Sequence, residues 1–409
     1  MNRRKFMGIS GLSAAAFFTD SKILKAVPNA EMDLGKVKIT DVKTAAIKVK
    51  NYTTHLVKVE TDSGLFGLGE SYPKSEVADD IKDIKRKIIG MDPLQVEVLH
   101  QKMTDSYISR GSLTGSLCGA ISGIESALWD LAGKILNVPV YLLLGGKYRD
   151  KLLIYHDAES GKTQDPQSWV EAAQKSVDHG FKAVKLSLKR YSGEDWNRDV
   201  SYKNMETWVN ILSTVKKALG PDIQLAADMH WNYNTRDMLT FTEMIKDIGI
   251  WFLEDPIPPY NADAFARLTA NSKVPITTGE NLFSRQGFRP FIEKQACDII
   301  HPDAQKCGGL LEMKKIADWA DMYNMNMLCH NGCTPVGTTA SAHACSAIKS
   351  FIALESDGVE IPYWQNFIKR DGPFYKDGYL EISDKPGIGV ELDEKVCREH
   401  LVEGSKFFE

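Results

Sequence analysis

Six residues able to hold charge or move protons recur at nearly even spacing through the second half of this 409-residue chain. They are Asp228, Glu254, Glu280, Asp303, His330 and Glu355, spaced 23 to 27 residues apart, and each closes a short apolar run. Asp228, Glu254 and Glu280 are three hard oxygen donors in succession. With room left for water and substrate, such a set suits one octahedral Mg²⁺. Zinc fits less well, because no thiolate joins the set. Asp303 and His330 follow. A carboxylate beside an imidazole fixes its tautomer and stabilises its cation, which makes a competent general base. His230 lies two residues past Asp228, so on an extended strand both side chains point to one face.

The spacing says what must position these groups. A strand, a loop, a helix and a return loop consume about this many residues, on the scale of the ~30-residue βαβ unit. In a barrel of such units, the residues closing the strands point into the mouth where barrel enzymes keep their sites. The pattern begins near residue 150: 152–155 reads as the first strand, Asp165-Pro166 as a helix start and 180–187 as the second strand. A polar excursion over 189–204 is expected to loop over the mouth, and a helix over 206–219 leads to the strand that ends at Asp228.

Before residue 150 the rhythm differs. Residues 37–42, 46–50 and 55–61 alternate like strands, 64–70 brings turn glycines and another short strand, and 76–136 is helical with an apolar stripe at 121, 124, 128 and 131. The expected architecture is therefore α/β: an α+β capping domain over 36–150 and a barrel over 151–355. Residues 356–409 leave the barrel rhythm and are expected to return to the cap.

Composition sets limits. The chain is 43% apolar and 25% charged with a net charge of −4, which excludes a strongly basic nucleic-acid binder and a polybasic membrane patch. Seven cysteines are scattered, and Cys329 with Cys333 lacks a second pair at zinc-site spacing, so buried thiols are expected. Residues 1–30 combine Arg3-Arg4 with an apolar stretch well short of the ~20 residues that span a bilayer. They read as a twin-arginine-like export signal to the periplasm, not a membrane anchor; a basic N-terminus on a cytoplasmic protein is the alternative.

Several motifs together resemble the enolase superfamily, in the subgroup related to mandelate racemase. They are Gly67-Leu68-Gly69-Glu70, residues 127–134 with Leu144-Gly145-Gly146, the three carboxylates, the Asp303/His330 pair, Glu355 and residues 385–390. The resemblance covers about residues 36–393. It implies a modified TIM barrel, (β/α)₇β, under a cap built from both ends of the chain. It also implies abstraction of the proton α to a carboxylate, giving an enediolate stabilised by Mg²⁺. Glu355 would then face the substrate carboxylate opposite the metal and, if protonated, donate a hydrogen bond to it. Homo-oligomers are the expectation for the family.

Two departures narrow the reaction. Where racemases of the subgroup carry Lys-x-Lys, this chain has Lys185-Leu186-Ser187, so the second base is missing and racemisation is disfavoured. Asp303 stands where dipeptide epimerases and lactonizing enzymes carry lysine. The Asp228-x-His230 pattern is similar to that of acid-sugar dehydratases, whose histidine protonates the leaving hydroxyl. The resemblance thus implies dehydration of a sugar acid to a 2-keto-3-deoxy acid, with His330 as base and His230 as acid. Ring-opening cycloisomerisation by the same proton abstraction is the alternative, and an inactive exported binding protein is the reading outside enzymes. Lys185, Tyr52 and Tyr155 are the expected substrate contacts, and His156 and His301 are weaker strand-end candidates.

Overall fold

The computed structural model describes residues 37–50, 52–73, 76–158, 164–188 and 198–408. The expected signal over 1–30 lies outside them, as does the 189–197 part of the polar excursion. Strands β1 (Ile39–Val49), β2 (Tyr52–Thr61) and β3 (Phe66–Ser71) form an antiparallel sheet in that order. The sequence pattern divides β1 in two and leaves Tyr52 outside its strands; the structure corrects both. Val49 pairs with Tyr52, and the ladder runs unbroken from Val42 opposite Val59 to that pair. Backbone pairing with β2 continues through the local lapse in alternation and outweighs it.

Helices α1 (Val77–Lys85), α2 (Val96–Ser106), α3 (Gly115–Leu136) and the short α4 (Val140–Leu143) complete the cap's N-terminal part. α3 is buried along most of its length because β3 lies directly on it. The contact is backbone to backbone. A Cβ on Gly67 would sit 1.9 Å from the Ala127 carbonyl, and one on Gly69 would sit 2.4 Å from that of Gly123.

The barrel alternates β4 (Lys151–Ala158), α5 (Pro166–Asp178), β5 (Ala183–Ser187), α6 (Tyr202–Leu219), β6 (Gln224–Asp228), α7 (Thr235–Ile245), β7 (Leu253–Glu254) and α8 (Ala262–Asn271). It continues through β8 (Ile276–Thr278), α9 (Ser284–Glu293), β9 (Ile299–Ile300), α10 (Leu310–Asp321), β10 (Asn326–Cys329), α11 (Pro335–Ser346) and β11 (Phe351–Ser356). Each strand pairs in parallel with the next, and β11 closes on β4, giving (β/α)₇β. Side chains of Asp165, Ser201, Asn234, Asn261 and Thr334 accept from the first-turn N–H groups of α5, α6, α7, α8 and α11. Inside, the rings of Tyr155 and Phe252 fill space that Ala183, Ala226 and Ala353 leave open. All seven cysteines are free and buried.

After β11 the chain adds β12 (Tyr379–Glu381), antiparallel to β4, and α12 (Glu394–Glu399). It then lies along β1, where Lys48 N–H donates to the His400 carbonyl at 2.8 Å and Val402 N–H to that of Ala46 at 3.0 Å. Three buried cap carboxylates fasten the layers. Glu70 accepts from the N–H groups of Thr334 and Gly337, both at 2.9 Å, at the start of α11. Glu125 accepts from Leu310 and Leu311 at the start of α10, at 2.8 and 3.1 Å. Asp130 accepts from Leu68 at 2.7 Å and from Ile388 of the tail at 2.8 Å. Anions at helix N-termini meet both unsatisfied donors and the positive end of the helix dipole. Among the described residues no helix is long and apolar enough to cross a membrane.

Candidate active site

Strand register places the predicted groups beside one another. Ser187 lies opposite Asp228, Asp228 opposite Glu254, Asp303 bridges to His330, and Glu355 pairs with Tyr155. The strand ends therefore converge on one mouth, and their side chains are largely buried there.

Asp303 and His330 meet at the ends of β9 and β10. His330 Nδ1 lies 2.7 Å from Asp303 Oδ2, and the other Asp303 oxygen accepts from Gln305 N–H at 2.7 Å. His330 Nε2 lies 2.6 Å from Glu280 Oε2. Burial disfavours the charged imidazole, yet Glu280 and Glu355 outweigh it and hold His330 well above the usual histidine range. Burial likewise works to raise Glu280, but the His330 and Lys306 charges hold its carboxyl well below the usual range. The two shifts describe one ion pair.

The carboxylates differ in detail from expectation. Two trios bring one ligand atom from each member within 4.8 Å of the others, Glu254 with His301 and Glu355 and the all-carboxylate set of Glu254, Asp255 and Glu280. Asp228 borders the all-carboxylate set and is engaged by His230, whose Nδ1 lies 2.6 Å from Asp228 Oδ2. Asp255 escaped the sequence reading because alternation should turn it away from Glu254. Its φ of +41° ends the strand there and returns the carboxylate to the site, where Thr278 Oγ1 donates to it at 2.5 Å. Positive φ also corrects the route of His230. β6 stops at Asp228, and His230 and Trp231 have φ of +49° and +56°, so His230 reaches Asp228 by a turn and not by strand alternation.

Burial, reinforced by Asp228, Glu355 and Glu280, drives the Glu254 carboxyl well above its usual range despite Lys185. Burial with Glu280 and Glu254 does the same to Asp255. Asp255 Oδ2 is buried without a hydrogen bond, and Glu254 Oε2 has only the shared Lys185 ammonium, 3.1 Å away, as a counter-charge. Clustered, under-neutralised carboxylate oxygens are the donor set that a hard dication satisfies. Asp228, Glu254, Asp255 and Glu280 therefore fit a metal ion.

Between these acids and Glu355, Lys185 is fully buried, with its Nζ 2.5 Å from Glu355 Oε1, 3.2 and 3.1 Å from the two Glu254 oxygens and 3.9 Å from Asp157 Oδ2. Burial acts against its charge, but the surrounding acids hold it well above the usual lysine range. Lys185 in turn pulls Glu355 down to about 2 against the effect of burial. Glu355 is thus an ionised acceptor in this arrangement, and not the protonated donor the sequence reading allowed for.

Tyr155 is likewise corrected from a substrate contact to a support. It is fully buried and donates to Glu355 Oε2 at 2.9 Å. Its single proton being so used, the 2.7 Å contact to His301 Nε2 requires that nitrogen to carry the hydrogen. His301 stays neutral because burial lowers its pKa to about 3. His156 faces outward, bonded to Ser176 of α5 at 2.7 Å and stacked on Phe181. Tyr52 begins β2 on the cap, half-buried, where burial and the Asp357 charge raise its phenol. Lys306 was also missed. It is 2% exposed, with its Nζ 3.9 Å from Glu280 Oε1, and only the fold of the loop after β9 brings it there.

Comparison with known proteins agrees with this fold. Residues 31–145 match the mandelate racemase / muconate lactonizing enzyme N-terminal domain, and residues 168–396 match the enolase C-terminal domain-like family. The chain is 36% identical to a D-xylonate dehydratase of Haloferax volcanii over 387 residues, covering 94% of this chain and 93% of that one. It is 30% identical to a D-galactonate dehydratase of Cronobacter sakazakii, covering 85% and 93%. A mandelate racemase/muconate lactonizing enzyme-like protein from Rubrobacter xylanophilus superposes with a TM-score of 0.88 at 36% identity, covering 91% of this chain and all of that one. The 3,6-anhydro-D-galactonate cycloisomerase of Zobellia galactanivorans does so at 0.79 and 29%, covering 90% and 100%. With the barrel, its cap and the ends of its strands accounted for, the chain belongs to the enolase superfamily, in the mandelate racemase / muconate lactonizing enzyme group.

Proposed function

We propose that this protein is a Mg²⁺-dependent sugar-acid dehydratase, a carbon–oxygen lyase that converts an aldonic acid to its 2-keto-3-deoxy product. The observation carrying this reading is the joint presence of the Asp303–His330 pair and of His230 on Asp228, on either side of the carboxylate cluster. The dehydratase relatives support it, and D-xylonate is the first substrate to test, before D-galactonate.

The chain's own residues divide the work. Mg²⁺ when bound supplies the positive charge that stabilises a carboxylate gaining a second negative charge. His330, oriented by Asp303, accepts the α-proton at Nε2 once that nitrogen has parted from Glu280 and given its own proton to solvent. His230 donates a proton to the β-hydroxyl, which is a poor leaving group until protonated. Lys185 binds the substrate carboxylate after parting from Glu355. Ser187, opposite Asp228, offers no second base, in keeping with elimination in preference to racemisation.

The test is solvent exchange. In ²H₂O with Mg²⁺, His330→Asn should abolish α-proton exchange, whereas His230→Asn should retain exchange and lose keto-acid product. Equal loss of exchange in both folded, metal-bound variants would overturn the acid and base assignment. Ring opening of an anhydro-sugar acid is the second reading, favoured by the likeness to the cycloisomerase; product with no water released would select it. We also propose export through the residues 1–30 signal and assembly as a homo-oligomer. Cell fractionation of Arg3→Lys/Arg4→Lys and light scattering of the purified protein test these.

A further inference from the structure

Lys306 places a buried ammonium beside a carboxylate without pairing closely to it. Nζ stands 3.9 Å from Glu280 Oε1, beyond hydrogen-bond distance, and 3.9 Å from the centroid of the Tyr72 ring, so that Oε1 meets a neutral donor, the exposed Asn281 amide at 3.1 Å, in place of the ammonium. Tyr72 comes from the cap, immediately after β3, whereas Lys306 comes from the loop after β9. That loop is held by the same acid that orients the base: Lys306 N–H donates to the Asp303 carbonyl at 3.1 Å, and Gln305 N–H donates to the Asp303 side chain. A lysine in water-poor surroundings gains most by closing on its carboxylate, since charge-assisted pairs settle near ~2.8 Å. Here the aromatic face supplies a competing attraction from the cap side.

We infer that Tyr72 is a positioning residue that holds Lys306 off Glu280, so that the carboxylate keeps an oxygen available for the dication. The inference rests on the reading of Glu280 as a metal-side carboxylate. With the ring gone, the ammonium is free to close on Oε1 and becomes a tethered competitor for the ion. Cap and metal site are coupled in this way through the contact of Tyr72 with the Lys306 ammonium. The coupling has a direction: loss of the ring weakens metal binding, and further loss of the ammonium restores it. A purely structural role for either residue would make the two losses accumulate.

The experiment is a double-mutant cycle read by calorimetric Mg²⁺ titration of the full-length protein, without substrate. Tyr72→Leu should raise the Mg²⁺ Kd about tenfold, and Tyr72→Leu/Lys306→Met should return it to within about threefold of the wild-type value. Tyr72→Phe, which keeps the ring, should behave as wild type and separates the ring from the hydroxyl. Circular dichroism and melting temperature establish that each variant is folded. If wild type binds Mg²⁺ but Tyr72→Leu binds equally well, or the double variant is weaker than Tyr72→Leu, this inference is overturned and the proposed function stands. If wild type binds no Mg²⁺, or Glu280→Gln leaves binding unchanged, both fall.

Discussion

At the scale of single residues, most of the site announces itself because each group closes an apolar run, and strand register then brings neighbours together. What sequence could not reveal are groups placed by a backbone reversal or a tertiary loop. Asp255 and His230 owe their positions to left-handed φ, and Lys306 owes its position to the turn around Asp303. Burial also reassigns roles. Tyr155 looked like a substrate contact but supports Glu355 from below, with neutral His301 behind it. Tyr155→Phe should therefore lower kcat roughly 10- to 100-fold, the usual scale for residues that orient a site from behind, with a smaller change in KM. Steady-state kinetics on a folded variant measures this, and a change in KM alone would return Tyr155 to the substrate-contact role.

At the scale of elements, the barrel was legible because its period survives in the sequence, strand after strand, with capping residues at the helix starts. The cap was less so. β1 read as two strands, since polar residues interrupt its alternation while its pairing with β2 continues. The most exacting contact is that of β3 on α3, where glycine is required for closeness and not for turning. Gly69→Ala would bring a methyl group to 2.4 Å from the Gly123 carbonyl and 2.7 Å from the Ala127 nitrogen. Neither backbone can yield cheaply, so a loss of about 3 kcal/mol is expected in urea unfolding. Gly64→Ala tests the alternative cause, backbone freedom at φ +82° in open space, and should cost about 1 kcal/mol or less.

At the scale of the whole molecule, the seams joining cap, barrel and tail carry buried titratable groups that no periodicity foretells. His343 of α11 accepts from Tyr141 N–H of the cap at 3.3 Å and meets the Ile388 carbonyl of the tail at 3.2 Å. Burial lowers its pKa from the ordinary 6.5 to about 4. A histidine kept neutral when folded contributes stability that is complete above pH 6.5 and is lost as pH falls towards 4. The difference amounts to about 3 kcal/mol at ~1.4 kcal/mol per pH unit. Urea unfolding at pH 7 and pH 4.5 should show a steep acid loss that shrinks in His343→Asn; an unchanged slope would assign the acid sensitivity elsewhere. The three cap acids set a further condition of a different kind. Glu70 and Glu125 close the starts of α11 and α10, and Asp130 holds the tail, so these ends of the barrel are completed by another part of the chain. The barrel is therefore not a portable module. A chimera that grafts a foreign cap to alter substrate choice must bring acids at these three places, whatever loops it exchanges, or it will present open helix ends and a loose tail before specificity can be assayed.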